Sequence, residues 1–270
     1  MKYTGITFEG ISQEQSDILI AVLPEYGFHG MEEVEKGIKA YAKDGIADLE
    51  GLTALSTEMK LIFTIQQIEE ENWNQSWESN FEPVVIPGKI QVRAHFHEPI
   101  DSVDHQILIT PKMSFGTGHH PTTKMMMMAM LQTDFKGKTV ADFGTGTGIL
   151  SILAVQLGAG SVAAIDNDDW SIENVKENIN LNKANGIEVS KAGELDNIDA
   201  VDVMLANINK NVLIEHAQSI RAKTHEKGVL IISGLLRSDY EDITHVFGPY
   251  FGINHQKFEE GDWLAISFLA

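Results

Sequence analysis

Residues 142–148 read Asp-Phe-Gly-Thr-Gly-Thr-Gly and join a short apolar segment, 139–143, to a longer one that begins at Ile149. The lengths of these two segments predict a buried strand followed by a helix. The glycines at alternate positions allow a sharp turn and let a ligand lie against the backbone. Because open α/β sheets bind ligands at the carboxyl ends of their strands, residues 144–148 are the predicted ligand-binding loop.

Strands and helices alternate from residue 139 onward, which predicts a parallel sheet covered by helices on both faces. After the first strand and the helix 149–157, the predicted strands are 161–166, 187–190, 200–207 and 228–233, and the predicted helices are 168–182, 209–223 and 237–247. The last two predicted strands, 251–259 and 263–269, are close enough in sequence to pair in antiparallel fashion.

The spacing of the glycines separates two classes of nucleoside cofactor. A dinucleotide fingerprint requires Gly-x-Gly-x-x-Gly, but Ile149 stands where its third glycine should be. The pattern Asp-x-Gly-x-Gly-x-Gly is instead typical of Rossmann-like methyltransferases. The sequence therefore predicts an α/β, Rossmann-like class I methyltransferase domain that binds S-adenosyl-L-methionine through Gly144 and Gly146.

Two polar residues at the ends of predicted strands extend this site. Asp166 ends the strand 161–166, where its carboxylate can accept both ribose hydroxyls; its alternative role is to cap the helix that follows. Asn207 ends the strand 200–207, at the position that faces the transferred methyl group in this fold; it too could merely cap the next helix. His119 and His120 could suggest a metal pair, but adjacent residues rarely point at one ion, and we predict no metal site.

The first part of the chain predicts a second, smaller domain. Residues 1–68 have the order βαββαβ of a ferredoxin-like α+β sandwich, with helices at 12–23, capped by Ser12, and at 44–55. Residues 69–100 form the predicted connection to the methyltransferase domain, 101–270. The acidic stretch 69–82 has helical spacing, with Trp73, Trp77 and Phe81 on one face, which is more typical of packing than of substrate contact.

The charge of the chain restricts its partners. The net charge is -19, and residues 1–100 hold 17 acidic but only 7 basic side chains. This balance disfavours reading of nucleic acid, where cationic side chains supply most of the affinity. It suits a basic partner, but it is equally consistent with an acidic protein that is merely soluble. There is no cysteine, no signal-peptide pattern and no apolar run of the ~20 residues that span a membrane, which predicts a cytoplasmic protein without membrane contact.

Three motifs together resemble one family. Met113-Ser-Phe-Gly-Thr-Gly-His-His-Pro-Thr-Thr, the glycine loop with Ile149-Leu150, and Ala206-Asn-Ile are similar to the PrmA family of bacterial methyltransferases, which modify ribosomal protein eleven of the large subunit. The Trp-x-x-x-Trp segment resembles the linker of that family, and the resemblance covers essentially the whole chain. The chain departs from the family pattern at His119, where Thr is common, and at Asn209, where Leu is common.

The resemblance implies cofactor contacts at Thr123, Gly144, Asp166 and Asn207. It also implies that the N-terminal domain docks the substrate protein, that the linker repositions it, and that lysine side chains and an N-terminal amine are methylated. We predict that Asn207 orients the amine and that no dedicated catalytic base is needed.

The alternatives are methylation of another protein lysine or of a small-molecule amine, an NAD(P)-dependent oxidoreductase, an adenine methyltransferase and a non-catalytic cofactor-binding module. The glycine spacing disfavours the oxidoreductase, and the absence of Pro-Pro after Asn207 disfavours the adenine methyltransferase.

Overall fold

A computed structural model describes residues 2–28, 30–34, 37–43, 45–69, 82–110 and 118–269. The chain divides into two compact units, Met1–Phe81 and Glu82–Ala270. Two features of the sequence analysis lie outside the described residues, namely the aromatic stripe of Trp73, Trp77 and Phe81 and the motif residues 113–117. Among the described residues, no helix is long and apolar enough to cross a membrane.

The first unit has the expected βαββαβ order. Its antiparallel sheet has the strand order β2-β3-β1-β4, the arrangement of a ferredoxin-like sandwich. Alternate residues of the central strand, among them Ile6 and Phe8, are buried in the core of the unit. The elements are β1 Lys2–Glu9, α1 Gln13–Val22, β2 Gly30–Val34, β3 Gly37–Lys43, α2 Leu49–Met59 and β4 Phe63–Glu69.

Side-chain caps set where the two helices of this unit begin. Ser12 caps α1 as predicted, because its hydroxyl accepts from the Gln15 amide while the Gln15 side chain accepts from the Ser12 amide. The second helix begins later than predicted, at Leu49 instead of residue 44, since the Asp48 carboxylate accepts from the Gly51 amide at 2.9 Å.

The second unit is built on a seven-stranded sheet with the order β10-β9-β8-β11-β12-β14-β13. Strands β8 to β12 pair in parallel, whereas β14 is antiparallel to both β12 and β13. The strands are β8 Thr139–Phe143, β9 Ser161–Asp166, β10 Ile187–Lys191, β11 Val201–Asn207, β12 Thr224–Leu236, β13 His255–Glu260 and β14 Trp263–Leu269. The helices are α3 Pro121–Met130, α4 Ile149–Gln156, α5 Asp169–Asn182, α6 Lys210–Glu215, α7 Ala217–Ala222 and α8 Tyr240–Phe251.

A small three-stranded sheet also belongs to the second unit. It consists of β5 Val84–Ile86, β6 Ile90–Arg93 and β7 His105–Leu108, in the order β5-β6-β7. The predicted connecting segment, 69–100, includes residues 84–93. In the structure they fall within Glu82–Ala270.

Two predicted elements of the second unit differ from the structure. The predicted helix 209–223 is interrupted at His216, which separates α6 from α7. Phe251 was predicted to begin a strand, but it ends α8 despite the proline at position 249. Its ring is only 2% exposed and packs against Phe247 and Phe268, so tertiary packing extends the helix.

Most side chains of the methionine-rich helix α3 are buried in the core. Met125, Met126 and Met127 are fully buried, while Met128 is 36% exposed. Buried, flexible methionine side chains fill irregular gaps between a helix and a sheet. The helix thereby holds its first turn, which contains Thr123, in a fixed position.

The central strand β8 lies at the switch point of the large sheet. It pairs with β9 on one side and with β11 on the other, so the chain runs outward from it in both directions. Ligands of doubly wound sheets bind in the crevice beyond the carboxyl ends of strands at such a point. The loops after β8, β9 and β11 therefore form the candidate site.

Candidate functional site

The glycine loop is fixed by backbone hydrogen bonds to the neighbouring strand. The amides of Gly144 and Thr145 donate to the carbonyl of Ile165 at 2.8 and 3.0 Å. Gly144 has φ +77°, and a Cβ at this residue would collide with the side chain of Ile208. Only glycine meets both requirements, a left-handed backbone and close approach to the segment after β11.

The carboxylate of Asp142 holds the start of the glycine loop in place. Its Oδ2 accepts hydrogen bonds from the hydroxyls of Thr145 and Ser151, both at 2.7 Å, and the residue is fully buried. Burial raises the pKa of this carboxyl, and the two hydroxyl donors oppose that rise. The network ties the glycine loop to the first turn of α4.

Asp166 stands at the end of β9 with acceptor capacity to spare. One of its carboxylate oxygens accepts from the Gly146 amide at 2.9 Å and the other from the Asp168 amide at 3.0 Å. An ionised carboxylate has about four acceptor sites, so each oxygen can accept one more hydrogen bond. The helix cap considered for Asp166 is Asp168 instead, which accepts from the Ser171 amide at 2.8 Å.

Asn207 and Thr123 meet beside the end of β11. The Asn207 Nδ2 donates to Thr123 Oγ1 at 3.3 Å, and the two residues are 9% and 1% exposed. The Oδ1 of Asn207 is buried and has no hydrogen-bond partner within the part of the chain that the structure describes. Because a buried polar atom is normally paired, this oxygen is an acceptor suited to a donor on a bound molecule.

The alternative role considered for Asn207, a helix cap, belongs to Asn209. The side chain of Asn209 accepts from the Val212 amide at 3.1 Å and begins α6. One of the two departures from the family pattern is thus a local helix cap.

The two histidines before α3 have separate partners. His119 Nε2 lies 2.7 Å from the carbonyl oxygen of Glu82, whereas His120 caps α3, accepting from the Thr122 amide at 3.3 Å. The His120 ring also packs edge-on against Trp263, with centroids 4.4 Å apart. Over the described ranges, no three His, Cys, Asp or Glu side chains are grouped as metal ligands would be.

Several residues that support the site were missed by the sequence analysis. Thr145 and Ser151 bind Asp142, and Asn178 donates to the Thr147 carbonyl at 2.8 Å. The available signals were a serine in an otherwise apolar helix start and asparagines at four-residue intervals in α5, which place these amides on one helix face.

The residues at the strand ends fit an S-adenosyl-L-methionine-like molecule. The glycine loop offers close backbone approach, Asp166 offers two further acceptor positions, and the orphaned Oδ1 of Asn207 offers a buried acceptor. None of these features requires a phosphate group or a metal.

Comparison with known proteins identifies relatives along the whole chain. The family model described as ribosomal protein L11 methyltransferase (PrmA) matches residues 5–270. A ribosomal protein L11 methyltransferase of Phocaeicola vulgatus is 36% identical over 100% of this chain and 99% of its own length. That of Porphyromonas gingivalis is 38% identical over 99% of this chain and 98% of its own length.

Two solved structures of methyltransferases are similar to this chain in fold. The ribosomal protein L11 methylase of Lactobacillus delbrueckii subsp. bulgaricus is similar at a TM-score of 0.63 and 28% identity, over 69% of this chain and 97% of that chain. A methyltransferase from Pyrococcus furiosus is similar at a TM-score of 0.51 over 60% of this chain and 88% of that chain, and at 15% identity it supports the fold alone.

Proposed function

Because the chain belongs to the ribosomal protein L11 methyltransferase (PrmA) family, we propose that it transfers methyl groups from S-adenosyl-L-methionine to amines of ribosomal protein L11. The acceptors are lysine side chains and an N-terminal amine, and the reaction takes place in the cytoplasm. The observation that carries the proposal is the buried Asn207–Thr123 contact beside the glycine loop, which leaves Asn207 Oδ1 without a hydrogen-bond partner among the described residues.

Three parts of the chain hold the cofactor in this proposal. The backbone at Gly144 and Gly146 lies against it, Asp166 accepts from its ribose hydroxyls, and Thr123 contacts it from the first turn of α3. When bound, S-adenosyl-L-methionine supplies a methyl group on a sulfonium, which is already a good leaving group. The enzyme therefore needs to position the acceptor more than it needs acid–base power.

Asn207 orients the acceptor amine. Its Nδ2 is engaged by Thr123, which fixes the amide plane and directs Oδ1 as the acceptor. A neutral primary or secondary amine has at least one N–H that can donate to this oxygen while its lone pair remains free for attack. The side chain thus selects a nucleophile that carries both a donor and a lone pair.

The amine must be neutral to react, and neither Asn207 nor Thr123 can remove its proton. An ordinary lysine, with a pKa of ~10.4, costs about 4.6 kcal/mol to deprotonate at pH 7, whereas an α-amine near ~7.8 costs about 1.1 kcal/mol. We expect kcat on lysine acceptors to rise between pH 7 and pH 9.5, measured by single-turnover methyl transfer. A flat profile over that range, with methyl transfer as the slow step, would contradict catalysis without a base.

The acidic N-terminal domain, residues 1–68, docks the substrate in this proposal. The excess of acidic over basic side chains in residues 1–100 favours encounter with a basic protein and disfavours direct reading of nucleic acid. A basic substrate also explains why a methyltransferase domain carries a second domain. The substrate surface is then distinct from the cofactor-binding residues, which all lie in 118–269.

The deciding experiment uses ribosomal proteins from cells that lack this enzyme. The purified chain is incubated with them and with S-adenosyl-L-methionine labelled on its methyl group, and labelled peptides are mapped by mass spectrometry. Label on amines of protein L11, absent with the Asp166→Ala variant, is the expected result. Label confined to other proteins or to small molecules would overturn the choice of substrate, and no transfer to any acceptor would overturn the activity.

A further inference from the structure

Three asparagines of α5 form a ladder of side-chain amides on one helix face. Asn174, Asn178 and Asn182 are four residues apart, and the first two are fully buried. We call these three residues the amide ladder. None of them belongs to the glycine loop or to the Asn207–Thr123 contact, yet the ladder reaches the loop.

One end of the ladder binds the chain that leaves β7. The side chain of Asn182 accepts from the Leu108 amide at 2.8 Å and donates to the Leu108 carbonyl at 2.6 Å, and Asn178 Oδ1 accepts from the Thr110 amide at 2.8 Å. Alternate amides of an extended chain face the same side and are ~6.6 Å apart, close to the ~6 Å rise between residues four apart in a helix. The spacing of the two asparagines therefore matches the extended segment 108–110.

The other end of the ladder binds the glycine loop. Asn178 Nδ2 donates to the Thr147 carbonyl at 2.8 Å and to Asn174 Oδ1 at 2.9 Å. On the same peptide unit, the Gly148 amide donates to the Thr145 carbonyl at 2.9 Å. Both polar groups of the Thr147–Gly148 peptide are thus held, one of them by Asn178.

The orientation of this peptide matters because it joins the loop to α4. Gly148 has φ +80° and precedes the first residue of the helix, and no side chain among the described residues caps the helix there. The direction of the free amides in the first turn of α4 depends on this junction. A side chain that fixes the junction also fixes how the loop presents its backbone to a ligand.

We propose that Asn178 is a positioning residue that sets the glycine loop for S-adenosyl-L-methionine, with the segment 108–110 as its support. A single primary amide meets both demands, since Oδ1 accepts from Thr110 while Nδ2 donates to Thr147. This inference rests on the proposed function for its ligand. The hydrogen bonds through which Asn178 acts do not depend on the ligand.

The chain offers a matched pair of variants as a test. Asn178→Asp and Asn182→Asp are both isosteric, both keep an acceptor for a backbone amide of the segment 108–110, and both lose a donor. Only Asn178→Asp loses the donor to the glycine loop and sets a carboxylate oxygen against the Thr147 carbonyl. Both variants add a charge to α5, at a fully buried position for Asn178 and at a partly buried one for Asn182, so the comparison of Asn178→Ala with Asn182→Ala is the matched test without charge.

The first measurement is the affinity for S-adenosylhomocysteine by calorimetry, at a temperature where both variants are folded. We expect the Kd of Asn178→Asp to rise about tenfold, the effect of one lost hydrogen bond, and that of Asn182→Asp to stay within about twofold. The KM for S-adenosyl-L-methionine should rise in parallel, with kcat at saturation much less affected. Equal affinities in the two variants, despite similar losses of Tm, would overturn the proposal.

The second measurement needs no ligand. Amide hydrogen exchange of peptides that cover residues 144–150 should be faster in Asn178→Asp than in Asn182→Asp, and equal exchange would again overturn the positioning role. If the wild-type chain does not bind S-adenosylhomocysteine, the proposed function fails while hydrogen exchange still decides the role of Asn178. Should Asn178→Asp not fold, Asn178→Ala against Asn182→Ala gives the same comparison without an added charge.

Discussion

At the scale of single residues, Asp166 and Asp168 are two residues apart but contact different parts of the protein. Asp166 joins the end of β9 to the Gly146 amide, whereas Asp168 caps α5. We expect Asp166→Ala to weaken binding of S-adenosyl-L-methionine at least about tenfold, since charged hydrogen bonds to the ribose are lost. Calorimetry measures this change directly.

Asp168→Ala is the control for that substitution. It removes a helix cap, which costs about 1 kcal/mol of unfolding free energy, and leaves the carboxylate of Asp166 in place. Its Tm should fall while its affinity for the cofactor stays within about threefold of wild type. Unchanged affinity in Asp166→Ala would remove Asp166 from the ribose role.

Asp142 gives a second prediction at this scale, in the dependence of stability on pH. Because burial raises the pKa of this carboxyl in the folded protein, the folded state holds the proton more tightly than the unfolded state does. Its contribution to stability is therefore complete below the ordinary pKa of 3.8 and is lost as the pH rises through the higher, folded value.

Asp142→Asn removes this titration and keeps an oxygen for the hydroxyls of Thr145 and Ser151. We expect the Tm of wild type, relative to that of Asp142→Asn, to fall as the pH is raised upward from about 4. Scanning calorimetry from pH 4 to pH 8 measures the difference. A constant difference across that range would show that Asp142 does not titrate with a raised pKa.

At the scale of secondary-structure elements, helix caps decide several boundaries. Asn209 begins α6 by accepting from the Val212 amide. We expect Asn209→Ala to lower the unfolding free energy by about 1 kcal/mol and the Tm by about 2–4 °C, without changing the affinity for the cofactor. Asn209→Asp should retain the cap and most of the Tm. If Asn209→Ala weakens cofactor or substrate binding instead, Asn209 is part of the site.

The alternation of strands and helices from residue 139 onward was predictable because short apolar segments alternate with longer ones. The class of the fold follows from that alternation and from the glycine loop, whereas the position of β14 between β12 and β13 does not. The start of α2 was not predictable to within a turn, because it depends on the carboxylate of Asp48. The end of α8 depends on the contacts of Phe251 with distant residues, which no local pattern contains.

Part of the candidate site was predictable because the topology of the sheet places it. Gly144, Asp166 and Asn207 lie at strand ends, and their placement follows from the topology. The contact of Thr123 with Asn207 joins residues far apart in the sequence and was not predicted, because the family resemblance implied only that each of them contacts the cofactor. The bridge that Asn178 makes between Thr110 and Thr147 depends on packing of three segments.

At the scale of the whole molecule, all the candidate site residues belong to the second compact unit. We expect a chain of residues 82–270 to bind S-adenosyl-L-methionine with a Kd within about threefold of the full chain, because the glycine loop, Asp166 and Asn207 are all present. We expect the same chain to methylate protein L11 at least about a hundredfold more slowly, because it lacks residues 1–68, the domain proposed to dock the substrate. Calorimetry and the labelling assay measure the two properties.

Two other results would change the role proposed for the N-terminal domain. Equal rates of L11 methylation by residues 82–270 and by the full chain would exclude a docking role for residues 1–68. A loss of cofactor affinity would indicate instead that the first unit stabilises the second.

The order of strands in the large sheet has a consequence for how the protein is made. Strand β14 comes last among the described strands, yet it lies between β12 and β13, and its residues 264–268 are buried. Until the ribosome has released residues 263–269, β12 has an open edge and β13 has no neighbour to pair with. The small N-terminal domain can fold early in synthesis, but the large sheet cannot be completed before residues 263–269 have left the ribosome, and until then the open edge of β12 can pair with another chain and promote aggregation.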